Sequence, residues 1–240
     1  MTPEKMIEKL LDPGFAGDGV LANDILCEFE RGFPIENLRP LLVSSNENTL
    51  AAVAFLLTFM GFRANCFVVE ITALLDAQDS RTRSDAIESL ANCTTPADDA
   101  ALGRVLLRLD DEHPGVRWKV IQFIRLAQPW QLKLGLENAA KLRPDSAFAT
   151  LVKVHGQHFA ATEKKLRWLL AHTDPIVRRF GAAIATKPRY VVDEGFVEMA
   201  LQSDDAEVSG IATDCCQSHL TPIYAVWSSL LSHIRLQSTH

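Results

Sequence analysis

The side chains of this chain best suited to chemistry are few, and each carries a competing structural explanation. His155 and His158 stand three residues apart with Glu163 following, a spacing that puts both imidazoles on one helix face and would suit a metal ion. Gly156 intervenes and the pair falls at an expected helix end, so a solvated turn is the preferred reading and no metal is expected. Cys215 and Cys216 are adjacent, as in a redox or metal pair, but the chain has no C-x-x-C. With Cys27, Cys66 and Cys93 on apolar helical faces, the five cysteines read as small buried hydrophobes in a reducing compartment. A phosphate-binding G-x-x-x-x-G-K-[ST], a G-x-G-x-x-G after a strand, an H-E-x-x-H and a G-x-S-x-G are all absent. The expectation is a protein without a reaction of its own and without a cofactor.

What the chain does contain is a recurrence that must position whatever side chains matter. A small polar residue, two spacers and an apolar or β-branched anchor open an apolar helical run at Asp12 to Phe15, Asn46 to Thr49, Asp79 to Thr82, His113 to Val116, Asp145 to Phe148, Asp174 to Val177 and Asp205 to Val208. Successive anchors lie 34, 33, 34, 32, 29 and 31 residues apart. A period in that range is one helix pair, which cannot bury its apolar face alone, so successive pairs must stack into a solenoid. Each pattern marks the start of the second helix of a pair. At 174–178, Asp174 caps through its side chain, Pro175 fits the first turn and Val177 opens the buried stripe. First helices are expected over 64–75, 97–109, 130–142, 162–171 and 194–202, with end helices over 3–11 and 222–236. The best strand candidate, Cys66-Phe67-Val68-Val69, continues in helical period and reads as helix.

The segments Asp-Pro-Ile-Val-Arg-Arg at 174–179 and His-Pro-Gly-Val-Arg at 113–117, each followed by an apolar helix, resemble HEAT repeats. The resemblance covers residues 36–216; the stretches at 79–90 and 205–216 match in outline and the copies at 12, 46 and 145 are degenerate. It implies an all-α fold, a right-handed superhelical solenoid of about six to seven antiparallel helix pairs. It also implies that the second helices line a concave face holding a protein, a peptide or sometimes nucleic acid, and it implies no reaction. The domain organisation expected from it is one domain over 1–240, with an N-terminal cap at 1–35, repeats at 36–216 and a C-terminal cap at 217–240. Glu4, Lys5, Glu8 and Lys9 at the start, and Ser232, His233, Arg235 and Gln237 at the end, give both end helices a polar side, and Trp227 is expected to cover the last repeat. The His-Glu dipeptides of HEAT-type iron hydroxylases are absent; Glu112-His113 occurs only in the reverse order.

Composition narrows the class further. Hydrophobic residues make up 48% and charged residues 22%, which is the make-up of a folded protein and unlike that of a disordered chain. No stretch approaches the roughly 18 apolar residues of a membrane span, and the opening Met1-Thr2-Pro3-Glu4-Lys5 lacks a secretory apolar region, so a cytoplasmic protein is expected. The net charge of −6 hides a segmentation. Residues 1–112 carry 9 basic against 19 acidic side chains, 113–189 carry 14 against 4, and 190–240 carry 1 against 7. In a solenoid such segments become spatial, so a basic belt between acidic ends is expected.

Within each second helix, residues four, five, seven and eight after the anchor should face the core, and those two, three and six after it should face outward. The outward row comprises Phe55; Ser84, Asp85 and Glu88; Trp118, Lys119 and Gln122; Thr150; Arg179 and Phe180; and Asp214. Lys119, Lys153 and Arg179 are the cations best placed for a ligand. Arg83, Arg117 and Arg178 share the position just after the anchor, and their repetition argues for a structural task, pairing with carboxylates such as Asp79, Asp111 and Asp174.

A mixed aromatic and charged row suits a protein partner. The leading expectation is a monomeric, non-enzymatic protein-binding module, either an adaptor or an immunity-type antidote occluding a basic toxin domain. The alternative is a nucleic-acid binder. Some DNA glycosylases resemble this chain in length and helical build, and the basic segment with Trp118, Trp130 and Trp168 would supply phosphate contacts and stacking rings. Against it, the family's tryptophan with a catalytic aspartate four residues on is missing, because Gln122 stands at that spacing from Trp118.

Overall fold

The computed structural model describes residues 1–155, 162–188 and 194–220. Among them are fourteen α-helices and no strand, in two compact units, one within residues 1–159 and the other within 160–240. The first unit contains α1 (Pro3–Leu11), α2 (Gly19–Glu30), α3 (Arg39–Leu42), α4 (Glu47–Thr58), α5 (Val68–Leu74), α6 (Ser80–Cys93), α7 (Asp99–Leu107), α8 (Pro114–Leu126), α9 (Pro129–Leu142) and α10 (Ala147–His155). The second contains α11 (Glu163–Leu170), α12 (Pro175–Ala185), α13 (Glu194–Leu201) and α14 (Ala206–Leu220). Odd-numbered helices open the pairs and even-numbered helices close them. In the first unit α4 packs between α2 and α6, α6 also packs on α8, and α7 packs between α5 and α9. In the second unit α12 lies against α14 and α11 against α13. First helices stack on first helices and second on second, the two-layer arrangement of a helical repeat. Among the described residues, no helix is long and apolar enough to cross a membrane.

The recurring polar residue does what its type predicts. Asn46, Asp79, Asp174 and Asp205 accept hydrogen bonds from backbone N–H groups two or three residues on, and the His113 ring nitrogen accepts one from Gly115, each occupying donors that the first helical turn leaves open. The apolar register also holds. Val53, Ala54, Leu56 and Leu57 in α4, Ala86, Ile87 and Leu90 in α6, and Val120, Ile121, Phe123 and Ile124 in α8 are all buried. Each valine, leucine, isoleucine or phenylalanine among them contributes about 1.5–3 kcal/mol on burial. Thr49, an anchor position, is buried and donates its hydroxyl to the Leu10 carbonyl at 2.6 Å, tying α4 to the end of α1.

Two copies of the pattern depart from expectation. Asp12 does not start a helix; it ends α1, and its carboxylate accepts from Gly14 N–H at 2.7 Å in a turn. Pro13-Gly14 and Gly17, at φ 88°, keep the chain out of helix until Asp18 caps α2. At 145–148 it is Ser146, rather than Asp145, whose hydroxyl accepts from Phe148 N–H. The expected helix over 64–75 forms in two parts, a 3-10 stretch Gly61–Phe67 followed by α5. Cys66 is consequently exposed instead of buried, while Cys93 and Cys215 are buried as expected and Cys27 and Cys216 are half-buried. The expected helix over 222–236, Trp227 and His158 lie outside the described residues.

A repeated arginine fixes the loops between helices. Arg83, Arg117 and Arg178 each place Nη1 on the carbonyls five and six residues back: Ala77 and Gln78, Asp111 and Glu112, His172 and Thr173. Arg83 also forks onto Asp111 of the next pair through Nε at 3.0 Å and Nη2 at 2.9 Å, and Arg178 reaches Asp205 through Nε at 2.5 Å. The structural task inferred from the sequence is therefore correct, with two of its partners corrected. Asp79 and Asp174 are held as caps of their own helices, and Asp205 takes the role in the second unit.

Candidate binding face

The outward row of the second helices is half-exposed for most of its length. Phe55, Ser84, Asp85, Glu88, Trp118, Lys119, Gln122 and Arg179 are half-buried and Lys153 is exposed. Phe180 is the correction: it is only 1% exposed. Its helix, α12, buries Ile176, Val177 and every residue from Phe180 to Ala185, and packs on α11, α13 and α14. With α11, α13 and α14 packed around it, the helix leaves its open side to Arg178 and Arg179 and none of it to a large ring.

The structure brings Phe55 and Asp85 together. Both line a groove of about 320 Å³ bordered by the 15–19 loop, α2, α4 and α6, whose other walls include Phe15, Asp18, Asn23, Asn48, Ala51, Ala52 and Arg81. The loop side is held by amides. Asn46 Nδ2 donates to the carbonyls of Pro13 and Phe15 at 3.2 and 3.0 Å, and Asn48 Nδ2 to Phe15 at 3.2 Å. Phe55 stacks edge-on with Phe59, centroids 5.0 Å apart. One helix further, Lys119 Nζ bridges α8 to α6 through Glu88 at 2.7 Å. Arg179 is likewise engaged, its Nε 2.9 Å from Glu207 of α14. Two of the three cations expected to greet a ligand are thus paired with carboxylates, which weakens the basic-belt expectation.

Asp85 is the electrostatic anomaly of this face. Among the described residues its carboxylate has no ion-pair partner, and burial, reinforced by Glu88 and Asp79 against the opposing pull of Lys119 and Arg81, raises its pKa to about 6. Asp79, Asp111 and Asp205 go the other way: burial alone would raise them, but hydrogen bonds from Thr82, from Arg83 and His113 N–H, and from Arg178 outweigh it and hold them below the ordinary carboxylate value. A raised folded pKa means that the folded state holds its proton longer than the unfolded chain. Between about pH 4 and 6, stability therefore falls as pH rises, and at pH 7 the ionised Asp85 costs about 1–2 kcal/mol after allowance for solvent screening. Asp85→Asn is expected to be more stable than the parent at pH 7 and to lose that advantage near pH 4, as urea melts of both at the two pH values will show. An unchanged difference at both would contradict this assignment.

The groove's loop wall lies outside the row that helical period marks. Asn23, Asn48 and Arg81 fall at none of the outward positions counted from an anchor, and Phe15 and Asp18 belong to a turn and to the cap of α2 instead of a helix opened at Asp12; their one local signal is the glycine density at 14, 17 and 19 beside the amide pair Asn46 and Asn48. In the second unit a larger open groove of about 800 Å³ runs beside Arg167, His172, Arg178, Glu198 and Asp205. Its arginines are paired with Glu163 and Asp205. Among the described residues, no three His, Cys, Asp or Glu side chains are grouped to hold a metal ion.

Stacked helix pairs with buried seams and a half-exposed outer row define the class of this chain as an all-α helical-repeat protein. No known family model and no curated protein matches it. Among solved structures, an engineered protein is 17% identical with a TM-score of 0.49, covering 90% of this chain and 98% of its own. A designed armadillo repeat protein, solved in complex with the peptide (KR)4, is 14% identical with a TM-score of 0.48, covering 90% and 99%. With TM-scores below 0.5, the helix pairing itself is what defines the class.

Proposed function

We propose that this chain is a HEAT-like, non-enzymatic binding module of the cytoplasm that holds a partner protein along the outer row of α4, α6 and α8. The observation that carries this reading is the meeting in one groove of Phe55 and a half-buried Asp85 that makes no ion pair among the described residues, beside the helix α8 that presents Trp118 and Gln122. A carboxylate kept at a cost to stability beside an aromatic ring is the kind of feature that a fold does not need and an interface does. The caps and the arginine contacts hold the row in place before any partner arrives, which reduces the ordering cost of association. The acidic first 112 residues favour a basic partner surface through steering, as an antidote to a basic toxin domain would require.

The test is affinity recovery of the tagged full chain from its native extract at moderate salt, with nuclease treatment in parallel. One stoichiometric protein, lost at least tenfold on Trp118→Ala or Asp85→Lys, is the expected result, since loss of one central anchor costs about 2 kcal/mol or more. Recovery of nucleic acid that leaves with salt would overturn it.

A further inference from the structure

We propose that the groove between the 15–19 loop, α2, α4 and α6 receives an arginine side chain from an extended segment of the partner protein. This rests on the reading of the second-helix row as a protein-binding face and names the chemistry of its first contact. The groove floor is apolar, from Phe15, Ala22, Ala51, Ala52 and Phe55, which suits the methylene stem of a long cationic side chain. Its polar wall is rich in acceptors. Asp85 has no ion-pair partner among the described residues, and one oxygen of Asp18 is occupied by the N–H groups of Val20 and Leu21. The donation of Asn48 Nδ2 to Phe15 fixes that amide and leaves its Oδ1 beside Gly17, 3.5 Å from where a Cβ would stand. A guanidinium, with five donors in a planar fork, matches such a wall better than the single ammonium of lysine, and its plane can rest on the Phe55 ring.

The charges around Asp85 are Asp79, Glu88 and Arg81 on its own helix and cap, Lys119 from α8 and Asp18 from the loop before α2; α4 contributes only neutral residues to the groove. Lys119 already pairs with Glu88. Arg81 is exposed at the rim and makes no ion pair among the described residues, so the groove itself poses a competing choice. Were the occupant acidic, Arg81 would be its contact and Asp85 would repel it. The two carboxylates facing the groove against one exposed arginine decide for a cation.

The experiment titrates the purified full chain with a blocked decapeptide alternating arginine and alanine, and separately with its glutamate counterpart, followed by fluorescence anisotropy at pH 7 and moderate salt. The arginine peptide is expected to bind, with Asp85→Asn and Phe55→Ala each weakening it about tenfold or more, while thermal melts confirm that both variants fold. The lysine version of the peptide should bind more weakly. Affinity untouched by Asp85→Asn, or binding of the glutamate peptide that disappears with Arg81→Gln, would overturn the assignment. Either failure would leave the partner recovery and its loss on Trp118→Ala as the separate test of the face as a whole.

Discussion

Replacing Arg83 with alanine is expected to lower the unfolding free energy by about 3–5 kcal/mol, because it strands a buried carboxylate. Arg83 and Asp111 are 5% and 7% exposed, and their two parallel hydrogen bonds are the most buried charge pair among the described residues. After the change, Asp111 keeps only His113 N–H at 2.9 Å and a longer approach from Arg108 at 3.6 Å. The carbonyls of Ala77 and Gln78 lose their donor as well. The loss should be read by urea denaturation at pH 7. Arg83→Lys should recover only part of it, since an ammonium cannot fork onto both oxygens and the two carbonyls at once. The pH dependence gives an independent check. Asp111 is depressed, so it contributes stability above its ordinary pKa and loses it as pH falls through the folded value. In Arg83→Ala that acid loss should flatten. A destabilisation below 1 kcal/mol would mean that the pair does not hold the repeats together.

The second large effect is expected where two helices meet through glycine. Gly103 of α7 faces α9, where an added Cβ would stand 2.6 Å from Asn138 Cβ and 3.0 Å from the Ala139 nitrogen; Gly135 of α9 faces back, 2.9 Å from Leu106 Cδ1 and 3.2 Å from the Leu102 carbonyl. Because the obstacle at Gly103 includes backbone, rotamer changes cannot clear it, and the helices must separate. Alanine is the better helix former by about 1 kcal/mol, yet Gly103→Ala is expected to be net destabilising by about 1–3 kcal/mol from overpacking. Gly210 of α14 is the contrast: a Cβ there meets nothing within 4 Å, and Gly210→Ala should stabilise by about 0.5–1 kcal/mol. Opposite signs for the same chemical change, measured by thermal or urea unfolding, would establish the α7–α9 crossing. Equal signs would deny it.

The repeat was legible in the sequence because capping chemistry and helical period are local. Asn46, Asp79, His113, Asp174 and Asp205 announce helix starts by side-chain type, and the buried positions counted from each anchor follow from 3.6 residues per turn. The first copy misled because Asp12 can close a turn as readily as it can open a helix, and the following Pro13-Gly14 decides which. Phe180 misled for a different reason. Its position after the anchor matches that of the half-exposed Asp85 and Lys119, but helical period specifies only an angle; what covers that angle depends on neighbouring helices that no local pattern describes. The groove was illegible for the same cause, since its loop wall reaches Asp85 across some 70 residues of sequence. The ion pairs of Lys119 and Arg179, too, join helices about thirty residues apart and could not be read from charge counts alone.

The outer row of the second helices is the proposed seat of the partner. The most direct measurement places a photoreactive phenylalanine analogue at Gln122 on α8 and, in a second variant, at the exposed Lys141 on the first helix α9, and compares protein adducts formed in the native extract. The expected result is a discrete adduct from position 122, suppressed by adding Trp118→Ala, with little from 141. Adducts confined to 141, or adducts at 122 indifferent to Trp118→Ala, would contradict it.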